Sequence, residues 1–238
     1  MAVEHTGVGS VRAALSGDAR VGARAIALAL ADGVLTMEGE VESVAAKKLA
    51  LELAAAAPGV HHIVDRIRIR PARAMTDSEI RDHLSNALLD EPSFQRLGLC
   101  SRDGSGTRTL HRVDTAPGSI EVAVMSGVVT LSGEVPSLAH KRLAGVLAWW
   151  VPGTRDVVNG LEVAPLELDS DDELADAVRI ALEKDPLLDA SRIRATVRGA
   201  VVTLEGTVAS RPQREMAEAD AWYVFSVDGV LNRLEVRS

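Results

Sequence analysis

Nucleophilic, acid–base and metal chemistry each need particular side chains held near a partner, and this chain offers few such sets. His61 and His62 carry the nitrogens a metal would use, but adjacent residues point in different directions, and the pair reads as a variable loop. Cys100 and His111 are the residue types of a thiolate nucleophile and its base, yet no third partner is patterned with them. The acidic run from Asp169 to Glu173 lacks the glycine and terminal glutamate of a calcium loop, and reads as a linker and helix cap. Three recurring glycines, Gly39, Gly133 and Gly206, match neither G-x-G-x-x-G nor G-x-x-x-x-G-K-[ST], and are expected to be structural turns needing positive φ or close approach. No catalytic residue, metal ligand or cofactor is expected.

Residues suited to binding stand out more clearly. Trp149-Trp150 and Trp222-Tyr223 end two equivalent helical segments, where a third copy has Ala55-Ala56. Helical spacing puts Trp150 and Tyr223 on the apolar stripe, and continues Trp149 and Trp222 along a flank expected to reach solvent, where an indole can enter a lipid interface or pack on a neighbouring domain. Arg66, Arg68 and Arg70 alternate with Ile67 and Ile69, which makes a basic stripe on one face of a strand; Arg73 follows. The plainer reading of that stripe is a solvated sheet face paired with glutamates such as Glu38.

The elements that must hold these residues are written three times. "VVTLSGEVPSLAHKRLAG" at 128–145 matches "VLTMEGEVESVAAKKLAL" at 34–51 and "VVTLEGTVASRPQREMAE" at 201–218. Asp65, Asn159 and Asn232 each fall 26 residues after their glycine, and each is expected to bond locally to the backbone. The second copy carries 21 extra residues within about 95–118, whose Gly, Ser and Asp content suits a surface hairpin. In each copy a helix precedes two alternating strands. Asp32-Gly33 is suited to a tight hairpin, Ser43, Ser137 and Ser210 to capping a second helix, and a last strand turns Ile67 and Ile69, Leu161 and Val163, or Leu234 and Val236 inward. Lys141 and Arg142 are expected to keep the outer face of that helix wet.

The "V-T-L-x-G-x-V" strand, the Ala-rich helix with its basic pair, and the closing "VVNGLEV" (157–163) and "VLNRLEV" (230–236) resemble BON domains. The resemblance implies an α+β fold of three tandem αββαβ units, each with two helices on one face of a small three-stranded mixed sheet. The units are placed at 8–71, 75–165 and 169–238, and the first helix of the first unit is expected to be short, starting near Ser10 because Gly7 replaces the leucine found at Leu174. For function the resemblance implies a non-enzymatic module that contacts phospholipid surfaces or other ligands.

Composition narrows this further. With 238 residues, 47% of them apolar but only 3% aromatic, the cores must come from Ala, Val and Leu. A net charge of −8 argues against nucleic acid as a partner. One cysteine excludes an internal disulfide, and the N-terminal residues have no basic segment followed by an apolar core. The expectation is a cytoplasmic protein, able to associate peripherally with a membrane, that binds a phospholipid surface through Trp149, Trp222, Arg66, Arg68 and Arg70. The alternative is a protein-interaction scaffold or a small-ligand or ion-sensing module.

Overall fold

The structure, a computed structural model, describes residues 2–18, 20–21, 26–166 and 169–237, with the side chains of 2–6 excepted. It divides into two compact units, Met1–Arg70 and Pro71–Ser238.

The first unit runs α1 (Ala2–Gly17), β1 (Ile26–Ala31), β2 (Val34–Val41), α2 (Val44–Ala55) and β3 (His62–Ile69). Its sheet has the order β1-β2-β3, with the first pair antiparallel and the second parallel. Asp32 and Gly33, at φ 50° and 77°, make the tight turn that the Asp-Gly pair foretells. Val11, Leu15, Leu35, Met37, Ala50 and Ile67 are buried between helices and sheet. Contrary to the sequence expectation, α1 starts at Ala2 and not near Ser10. Gly7 is buried inside it, and a Cβ there would stand 2.7 Å from Leu30 Cδ2. The glycine therefore serves close helix–strand approach, and packing overrides its poor helix propensity.

The second unit holds two further copies. The first comprises α3 (Asp77–Asp90), β4 (Gly98–Asp103), β5 (Gly106–His111), β6 (Ser119–Met125), β7 (Val128–Val135), α4 (Leu138–Trp150), β8 (Asp156–Asn159) and β9 (Glu162–Val163). The other comprises α5 (Asp171–Lys184), β10 (Ile193–Arg198), β11 (Val201–Val208), α6 (Arg211–Tyr223) and β12 (Gly229–Val236). The extra residues form the β4–β5 hairpin as expected. Because β4 also pairs in parallel with β6, the sheet grows to six strands, where three were expected. Ile80, Leu84, Val122 and Leu131 build one core, and Leu174, Val178, Leu182, Val202 and Leu204 the other.

The repeated polar residues work locally. Ser43, Ser137 and Ser210 accept from the N–H groups of Ala46, His140 and Gln213 at 3.2, 3.3 and 3.3 Å, so each caps its helix. Ser210→Ala is expected to cost about 1 kcal/mol in denaturant unfolding, a typical cap value. Asp65, Asn159 and Asn232 accept from Ile67, Leu161 and Leu234 N–H, as foreseen. They also reach the second helix: Asp65 pairs with Lys47, while Asn159 and Asn232 donate to the carbonyls of Lys141 and Arg214. Asp77 and Asp171 each accept two backbone N–H groups from the hairpin turn beside them, Ser126 with Gly127 and Gly199 with Ala200. The recurring glycines lie inside β2, β7 and β11 and not in the turn that follows. Val236 is 49% exposed, so the last strand of the third copy buries Leu234 alone of the expected pair.

Candidate functional site

Trp149, Trp150 and Tyr223, with Lys141 and Arg142, meet at a helical seam within the second unit, where α4 packs on α5 and α6. Val146 of α4 belongs to the core of the third copy, together with Leu174, Val178 and Ala181. This explains why the flank expected to be wet is dry. Arg142 is 2% exposed because the third copy covers it, and Gly145 is buried against Asn159 of its own copy, whose Nδ2 would stand 2.9 Å from a Cβ there. Arg142 donates from Nε to the Phe225 carbonyl at 3.3 Å and from Nη2 to Asp169 Oδ1. Lys141 places its ammonium 4.5 Å above the Phe225 ring, a cation–π contact across the same seam.

Trp149 is half-buried and stacks on Tyr223, with ring centroids 5.7 Å apart and planes 14° from parallel. Trp150 is half-buried and donates its indole N–H to Asp220 Oδ1 at 2.8 Å. Trp222, also half-buried, packs against the third core. All three tryptophans therefore make contacts within the protein. Beside them Lys184 of α5 meets Glu91 at the end of α3, at 2.7 Å. Burial works against the Glu91 carboxylate, but Lys184 and the Ser93 N–H and hydroxyl together hold it below the usual carboxylate range.

A cleft of about 360 Å³ opens between α4 and α5. Leu138, Leu143, Val146 and Ile180 supply apolar wall, and Ser137, His140, Arg142, Lys184, Glu173 and Asp176 supply polar edge. That is the composition of a small-molecule site, mostly apolar with a few placed polar groups.

The remaining candidates belong to other elements. Arg66 on β3 and Arg70 just after it are exposed and pair with Glu38 at 3.9 Å and Glu42 at 2.6 Å, while Arg68 stands opposite Glu40 in register. The basic stripe is thus matched by an acidic one on β2. His111 Nε2 lies 3.1 Å from the Gln95 carbonyl, and Cys100 stands opposite Thr109, so these two are not brought together as nucleophile and base. His61 and His62 are exposed at the start of β3. Among the described residues no group of three or more His, Cys, Asp or Glu could hold a metal, and no helix is long and apolar enough to cross a membrane.

Sequence reasoning missed Asp220 and Asp185. The signal was present: Asp220 occupies the stripe position that is Leu53 and Leu147 in the other copies.

The model of the BON domain matches residues 8–71, 108–165 and 170–238. The chain belongs to the BON domain family. The second BON match begins in β5, and α3, which packs on β6, lies ahead of it across the inserted hairpin. No curated protein matches the chain significantly. Among solved structures, this BON chain is similar to the C-terminal domain of CdsD, the structural protein of the type III secretion system of Chlamydia trachomatis, at 11% identity over 97% of both chains with a TM-score of 0.27. A second structure of CdsD matches at 11% identity and a TM-score of 0.25, over 97% of this chain and 91% of the other.

Proposed function

We propose that this BON protein is a non-enzymatic binding module whose ligand is a small amphipathic molecule taken by the cleft between α4 and α5. The observation that carries this reading is the cleft itself, an apolar trough of about 360 Å³ edged by Ser137, His140, Arg142 and Lys184 and, with the opposite charge, by Glu173 and Asp176. Ser137 Oγ lies 2.6 Å from His140 Nδ1 at the cleft edge, but the same oxygen accepts the His140 backbone N–H as the cap of α4, and among the described residues no carboxylate is bonded to that ring. The probe for the test is anilinonaphthalene sulfonate, an apolar ring system carrying one anionic group. The full chain is expected to raise its emission saturably, and Ala177→Trp, which fills the cleft from α5, is expected to remove at least nine-tenths of that signal while thermal unfolding stays cooperative. Equal probe binding by parent and variant would rule the cleft out.

Attachment to anionic phospholipid is the second reading, and family membership with the Arg66, Arg68 and Arg70 stripe supports it. Exposed ion pairs such as Arg66–Glu38 and Arg70–Glu42 contribute little, so a phosphate could replace the glutamate partner at small cost. Against this stand the net charge of −8 and the inward contacts of Trp149 and Trp222. Co-sedimentation with phosphatidylglycerol vesicles at physiological salt decides between them. Binding that is lost in Arg66→Ser/Arg70→Ser supports the stripe, and an empty pellet with both anionic and neutral vesicles removes the lipid reading.

A further inference from the structure

The third repeat carries a carboxyl group where its sister copies carry leucine, and that group is enclosed. Asp220 is 3% exposed on α6. Its Oδ1 accepts the Trp150 indole N–H from α4 at 2.8 Å, while its Oδ2 is buried with no hydrogen-bond donor against it among the described residues. The group it meets from α5 is a second carboxyl, that of Asp185, 8% exposed at the end of that helix. Asp185 Oδ1 accepts the Leu187 N–H at 2.8 Å.

Among the described residues, no cationic group acts on Asp220. From α4 it faces the neutral indole, and on its own helix Tyr223, whose phenol is pushed up by burial and by the nearby Asp220 charge. Lys184, the residue next to Asp185, is engaged by Glu91 at 2.7 Å. A donor-less carboxylate oxygen buried beside another carboxyl group is costly unless a proton lies between them.

We infer that Asp220 keeps its proton, directed at the Asp185 carboxyl, and that this makes the seam between the second and third repeats a pH-operated contact, closed while the proton is held and loosened at Trp150 when it leaves to solvent. Burial, reinforced by the Asp185 charge, pushes Asp220 up to about 7, which puts the change within reach of ordinary conditions. The direction follows from linkage. An unfolded aspartate releases its proton near 3.8, so between there and about 7 the folded state binds more protons than the unfolded one. Stability therefore falls as pH rises through that window and levels off above it.

The device does not depend on what the α4–α5 cleft binds. It is tested on the full chain without ligand, by following tryptophan emission and melting temperature from about pH 5 to about pH 9. A single-proton transition of the emission centred near pH 7 is expected, with melting temperature falling by several degrees between about pH 5 and about pH 7 and level above it. Asp220→Asn keeps an oxygen for the Trp150 N–H and gains an amide donor for Asp185, so it is expected to hold the low-pH emission throughout and to lose the transition. Asp185→Asn carries the same expectation, should the first variant fail to fold. Emission and melting temperature that stay flat in the parent, or a transition that survives in the asparagine variant, would overturn the inference; survival would assign the titration to a histidine instead.

Discussion

Replacing Gly206 with valine is expected to destabilise the unit of residues 71–238 by more than about 3 kcal/mol, enough to remove its folded baseline in moderate denaturant. Gly206 lies inside β11 opposite Ile193, at φ 125°. A Cβ built there stands 2.0 Å from the Arg192 carbonyl oxygen and 3.1 Å from its carbon. Both atoms are backbone of the residue that leads into the neighbouring strand, so no flexible side chain can move aside, and the start of the ladder must open. Positive φ adds strain for a β-branched residue. Gly133 repeats the arrangement, with φ 117° and the Ser119 oxygen at 2.1 Å, so Gly133→Val is expected to behave alike. The control is Gly199→Ala, at φ 57° with nothing within 4 Å, which is expected to cost only about 1 kcal/mol. Urea unfolding of the three variants measures this, and a Gly206→Val cost equal to that of the control would refute the steric account.

The second large effect is expected at Arg142. Its guanidinium is buried on α4, but both hydrogen-bonded partners, Asp169 and the Phe225 carbonyl, belong to the third repeat. Arg142→Ala leaves a void in the seam and the Phe225 carbonyl without its donor, at a cost of about 2–4 kcal/mol. Asp169 is itself partly exposed, so water can take over that carboxylate and the loss should not exceed this range. Because the contacts bridge two repeats, the variant is expected to split one unfolding transition of residues 71–238 into two. Lysine should rescue little, since one ammonium cannot fork between the two acceptors as a guanidinium does. Retention of a single transition within about 1 kcal/mol of the parent would show that the seam does not rely on Arg142.

Much of the fold was legible because its determinants are local. The serine caps, the Asp-Gly turn and the alternation in β10 and β11 depend on residues a few positions apart, and the structure places them as their types require. The same logic misled where a neighbour in space outweighed a neighbour in sequence. Gly7 reads as a helix breaker until the close approach of Leu30 explains it. Arg142 reads as a solvated helix residue until α5 and α6 are packed over it.

By itself, then, the sequence determined three αββαβ copies, their order, their caps and turns, and an expectation of binding without catalysis. These rest on periodicity, spacing and backbone preference, which a linear string records directly. Only the tertiary structure decided that the β4–β5 hairpin joins a sheet, that Arg142 and the three tryptophans turn into protein contacts, and that Asp185 and Asp220 meet. Each of these depends on which surface of one repeat covers another. That choice is made by side chains far apart in the chain, and no local pattern encodes it.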